Sequence, residues 1–143
     1  MFPLSTQIRF ACVQVWEGVH RLQRQELPAS VAALLDEGRA GGETPGTLAD
    51  ARARIAETLA LLDTVAPGAL DADPHTPIAH ALPNGMIFDL TPEQYARDWA
   101  LPQFYFHLMA AYMILRAQGV ALGKADYVAH MFGYLRPGTA PAG

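Results

Sequence analysis

Five histidines stand in this 143-residue sequence. They are its first candidates for chemistry, because an imidazole can ligate a metal or move a proton near neutral pH. Their spacing writes no metal site. A helical zinc signature puts two histidines at i and i+4, whereas Gln103 lies four residues before His107 and Ala111 four after it. His75 and His80 fall in a loop and hairpin region, where a solvated imidazole is expected, and His20 and His130, near segment ends, read the same way. His107 is different, since it lies within Phe104-Tyr105-Phe106-His107-Leu108-Met109, where burial penalises an unpaired ring. Two readings stay open for it: a core histidine bonded to a carbonyl, a tyrosine hydroxyl or water, or a residue of a pocket. Gln103 shares its helical face one turn earlier, and Gln7 and Gln14 bring amides to an apolar first helix. These groups either line a polar pocket inside a bundle or bond to one another.

Other reactive types carry less. The single cysteine, Cys12, has Ile8 and Trp16 one turn away and no basic neighbour to lower its pKa, so it reads as inert packing. Asp71, Asp73 and His75 alternate along a loop that lacks the glycine and terminal glutamate of a calcium site. Glu93, Arg97 and Asp98 read as a charged helix surface, and Trp99, Phe104, Tyr105, Phe106 and Tyr112 as core. No glycine-rich phosphate loop, Cys-x-x-Cys pair or serine nucleophile elbow is present.

The elements that must position these groups are helical. Ile8, Cys12, Val15, Val19 and Leu22 recur at helical spacing from about Leu4 to Gln23, and Phe10, Ala11, Val13 and Trp16 widen the apolar face, which predicts burial on more than one side. A second helix is predicted over Ala29 to Arg39, with Val31, Leu34 and Leu35 inward. A third starts at the N-cap Thr47, with Asp50 in its first turn and Leu48, Ile55, Leu59 and Leu62 as its inner face, and ends at Pro67-Gly68. Asn84-Gly85 between Ile78–Leu82 and Met86–Leu90 predicts a hairpin, because both residues tolerate positive φ. Thr91-Pro92-Glu93-Gln94 is a capping box for a long helix reaching about Gln118, interrupted at Pro102 and capped by Gly119. A last short helix covers Lys124 to Phe132.

Length sets one domain, assigned to residues 1–136 with a frayed tail over 137–143. With 51% hydrophobic and 17% charged residues, the chain has enough apolar material for a core. Ten basic against fourteen acidic residues leave a net charge of -4, which gives no footprint for a phosphate backbone, and nucleic acid is excluded as a partner. The most apolar stretch, Trp99 to Leu115, is shorter than a membrane span needs, no secretory signal is read at the N-terminus, and the lone thiol fits a reducing, cytoplasmic location.

Met1-Phe2-Pro3-Leu4 with Gln7, Leu101-Pro102-Gln103-Phe104-Tyr105-Phe106-His107, Ile114-Leu115-Arg116, Gly119-Val120 and Leu122-Gly123-Lys124 together resemble an uncharacterised bacterial family within the DinB/YfiT-like superfamily. The resemblance covers nearly the whole chain. It implies a mainly α, up-down antiparallel four-helix bundle, usually dimeric, in a superfamily that includes metal-dependent thiol transferases and mycothiol-dependent isomerases. Superfamily members with metal use one histidine of the second bundle helix and two, at i and i+4, of the last; here only His107 matches, with Gln103 in the other place. No metal or other cofactor is therefore expected, and His107 is the residue that would serve if one were bound. The string Met1–Leu4 also normally follows a long first helix, so the resemblance implies an apolar groove on the bundle that a partner chain would cover. The functional expectation is an uncharacterised bundle protein with no assignable reaction and a small-molecule pocket at His107, Gln103, Gln7 and Tyr105. The alternative is a metal- or thiol-dependent transferase using His107 as ligand or acid/base. A homodimer without membrane association is expected.

Overall fold

The computed structural model describes residues 1–139. Three long helices come first: α1 (Leu4–Leu22), α2 (Ala29–Ala40) and α3 (Leu48–Asp63). A hairpin of β1 (Ile78–Ala81) and β2 (Ile87–Leu90) follows. One long helical rod comes next: α4 (Pro92–Gln94), a π-helical turn (Tyr95–Ala100) and α5 (Leu101–Ala117). Two short pieces close it, α6 (Lys124–Tyr127) and a 3-10 segment (Ala129–Tyr134). The expected mainly α fold with a small antiparallel sheet is what the chain forms. Of the tail expected over 137–143, Pro137 to Thr139 follow a turn closed by the Thr139 N–H on the Arg136 carbonyl, and 140–143 lie outside the described residues.

α1 is the axis, packed by α2, α3 and α5. Its contacts fix the directions. Thr6 donates to the Gly38 carbonyl while Val13 packs among Val31 and Leu34, so α2 runs antiparallel to α1. The Trp16 Nε1–H donates to Thr58 Oγ1 and Arg9 lies against Gly46, so α3 runs parallel to it. Gln7 meets His107 and Gly18 meets Ala100, so α5 runs antiparallel. The core is small: Cys12, Val13, Val31 and Leu34, with Trp16 and Leu35 against them. At one end the carboxylate of Glu37 on α2 takes Arg9 of α1 at 3.2 Å and Arg54 of α3, and so ties three helices together. Arg9 is only 4% exposed, which makes this pair worth more than a surface ion pair, because less water screens it.

Local chemistry places most boundaries where the residues predict them. Thr47 and Asp50 close a reciprocal capping box on α3, and Thr91 and Gln94 close another on α4. Gly119 at φ +84 ends α5 in the left-handed conformation that favours glycine. Pro102 has no N–H to donate, and its ring crowds the carbonyl of Asp98; the wide turn just before it, with the Leu101 N–H on the Ala96 carbonyl, relieves both.

Four expectations are corrected. The third helix ends at Asp63, four residues short of Pro67, with Thr64 as its C-cap. In the hairpin only Gly85, at φ +88, is left-handed; Arg24 is the one non-glycine residue with positive φ among those described, so Asn84 is not. The Gly85 N–H on the Leu82 carbonyl and the Leu82 N–H on the Met86 carbonyl make a three-residue loop, in which Pro83 suits the first turn position and glycine the bulge. The expected inner face of α3 is not buried: Leu48 is 66% exposed and Leu59 56%, with Ile55 and Leu62 also exposed. α3 sits on α1 through the smaller Ala51 and Thr58 instead. Lastly, the aromatic run of α5 is not all core, since Tyr105 and Phe106 are exposed.

Candidate functional site

His107 and Gln7 meet in the seam between α1 and α5. His107 Nδ1 is 2.8 Å from Gln7 Oε1, and both residues are buried. Gln7 Nε2 donates to the Phe2 carbonyl at 3.2 Å, which leaves Oε1 as the acceptor and puts the ring proton on Nδ1. Phe10 and Phe106 pack edge-on to the ring at 5.4 and 5.3 Å. Burial pushes the His107 pKa below its ordinary value, so the pair is a neutral amide–imidazole bond at neutral pH. Gln103, half-buried, lies one turn before His107, and Tyr105 is exposed.

The histidines outside this seam divide. His75 and His130 are exposed as expected. His20 is buried, stacked on Trp16 with its Nδ1 2.8 Å from the Trp16 carbonyl, because α1 continues past it and keeps it under the bundle. His80 departs most from the expectation of a solvated ring. It is 3% exposed, sits on β1 beside the buried Ile78, and packs against Trp99 at 4.4 Å and Tyr95 at 5.5 Å. Neither of its ring nitrogens has a hydrogen-bond partner among the described residues. Burial, aided by the Arg21 charge, holds its pKa low. Alternation on a short strand was the signal available for it: one residue in two must face inward, and His80 shares parity with Ile78.

Metal donors do not converge. Among the described residues no three histidine, cysteine or acidic side chains come together, and His107 is held by an amide. A divalent ion normally takes three or four good donors, so these residues do not fit one. Cys12 is buried, and desolvation raises its pKa, which suits packing rather than nucleophilic attack.

The concave surface lies on the other side of α1. The exposed stripe of α3 faces α5 across a cleft floored by α1. One cavity, of about 590 Å³, is walled by Val15, Val19, Leu22, Leu62 and Phe104; the other, of about 240 Å³, by Ile8, Ala11, Cys12, Leu59, Leu108 and others. The two share Val15, Leu62 and Phe104, so they form one apolar cleft. α2 covers the Cys12–Val13 side of α1 and leaves Ile8, Ala11 and Val15 to this cleft. Periodicity marks the apolar face without saying what covers it; an open groove is expected from the family resemblance alone. Neither Gln7 nor His107 lines either cavity, although the residues that follow them, Ile8 and Leu108, line the smaller one.

Comparison with known proteins agrees with the architecture. A family model described as a domain of unknown function, DUF1993, matches residues 1–128. The crystal structure of a DinB family member from Shewanella denitrificans is similar over 99% of this chain and 70% of that one, at 30% identity and a TM-score of 0.67. No protein of curated function matches the chain.

Proposed function

The chain belongs to the DUF1993 family, and from that premise we propose that this DinB-like bundle works by holding a small, largely apolar molecule in the cleft between α1, α3 and α5. The observation that carries this reading is the cleft itself, whose combined cavities fall in the range of about 300–1,000 Å³ typical of ligand sites and whose walls are mainly apolar side chains. Gln7 and His107 serve as positioning residues: their buried bond sets the spacing of α1 and α5, and so the width of the cleft. Gln103 and Tyr105 stand on the same helix, one half-buried and one exposed. The buried, unpaired Cys12 fits a reducing, cytoplasmic setting, and no helix of the described residues is long and apolar enough to cross a membrane.

A neutral solvatochromic dye is expected to bind saturably at one site per chain. Ala11→Phe, which fills the smaller cavity, should weaken that binding about tenfold or more, leaving the helical circular dichroism unchanged. Absence of saturable binding overturns the reading.

The outer face of α5 supports a second element. Tyr105, Phe106 and Met113 are all exposed there, apolar surface that lines neither cavity. We propose that it joins two copies as a homodimer. Light scattering at micromolar concentration should return twice the 15.5 kDa chain mass, and Phe106→Glu should return one. A monomeric native chain contradicts the assignment.

A further inference from the structure

If the cleft is a ligand site, its charge says what kind of ligand. Its walls carry no lysine, arginine or histidine; the charged residues on them are Asp71 and Glu93, both acidic and both on the larger cavity. Glu93 is paired with Arg97 at 2.7 Å, while Asp71 takes part in none of the ion pairs among the described residues. Gln14 also lines this cavity, but its Oε1 is closed off from the cleft surface. That end of the cleft therefore offers the Asp71 carboxylate, with no positive group on its walls to answer it. The smaller cavity at the other end is apolar, with Thr58 donating its proton to the Arg54 carbonyl and Cys12 as a packed thiol.

We propose that the cleft takes an amphiphile with an apolar tail and a cationic head, an alkylammonium, with the tail along Val15, Leu62 and Phe104 and the head toward Asp71. This rests on the reading of the cleft as a ligand site. An ammonium supplies donors and a positive charge, both of which the Asp71 carboxylate can use. A carboxylate head has no donor to offer it and meets like charge, and an alcohol brings one proton and no charge.

Octylammonium, 1-octanol and octanoate, titrated calorimetrically at low salt, separate the possibilities. Octylammonium is expected to bind about fivefold tighter than the alcohol, the advantage of one partly solvated ion pair, and octanoate the weakest of the three. Added salt should remove the ammonium's advantage and leave the alcohol where it was. Asp71→Asn, a change on an exposed loop, should bring octylammonium down to the alcohol's affinity. Equal binding of all three, or preference for octanoate, overturns the cationic head while the cleft stands. Binding of none overturns both.

Discussion

Tyr95→Ala is expected to be the most damaging single substitution in this protein, at about 3–5 kcal/mol in urea unfolding. Tyr95 is wholly buried and is the largest side chain in that state. It comes from the π-helical turn, packs against His80 of the hairpin, and lies close enough to Glu17 and Arg21 of α1 to feel their charges. Its removal opens a void where three elements meet, and a short two-stranded hairpin has little stability of its own to resist detachment. Tyr95→Phe, which keeps the ring and removes the hydroxyl, should cost no more than about 1.5 kcal/mol. A loss below that figure for the alanine variant would show that the turn does not anchor the hairpin.

The second large effect belongs to the seam. His107→Ala removes a buried ring and strands Gln7 Oε1, for an expected loss of about 2–4 kcal/mol. Gln7→Leu alone strands His107 Nδ1 instead. Combined Gln7→Leu and His107→Leu should recover much of the loss, because two apolar side chains leave neither seam group orphaned, and only the Phe2 carbonyl, on an exposed residue, loses a donor. If the double variant loses as much as the sum of the singles, the bond is not what joins the two helices.

The same pair has a pH signature. The folded pKa of His107 lies below its unfolded value of about 6.5. The unfolded chain therefore takes up a proton that the folded chain refuses. The contribution is whole above about pH 6.5 and is lost as pH falls through that value toward the folded pKa. His80 acts in the same direction, and the half-buried Glu17, whose pKa desolvation raises, acts in the opposite one. The difference between the native chain and His107→Gln isolates the share of His107: the variant should lose less stability between pH 7.5 and 5. A parallel pair of curves would remove the shift.

Much of the fold was legible because its signals are local. Capping at Thr47 and Thr91, the left-handed glycine after α5 and the missing donor of Pro102 act within a turn or two of their own residues. The hairpin's place was legible in the same way, although its loop type was not: asparagine tolerates a positive φ but does not require it, and the proline before it favours another turn.

The candidate site divides along the same line. The sequence by itself determined that His107, if buried in its apolar helix, needs a partner, because an unpaired polar ring is costly away from water. It also determined that α1 and α3 carry broad apolar faces. Only the tertiary structure decided that the partner is Gln7, one hundred residues away, and that His80 rather than a loop-bound imidazole is the most enclosed of the five. It alone decided that α3 turns Ala51 and Thr58, not its leucines, toward α1. The physical reason is one of range. Hydrophobic periodicity states which face of a helix gains by leaving water, whereas what that face meets depends on how three helices share the surface of a fourth. Here α2 and the small residues of α3 take part of α1, and the leucine stripe is left to line an open cleft.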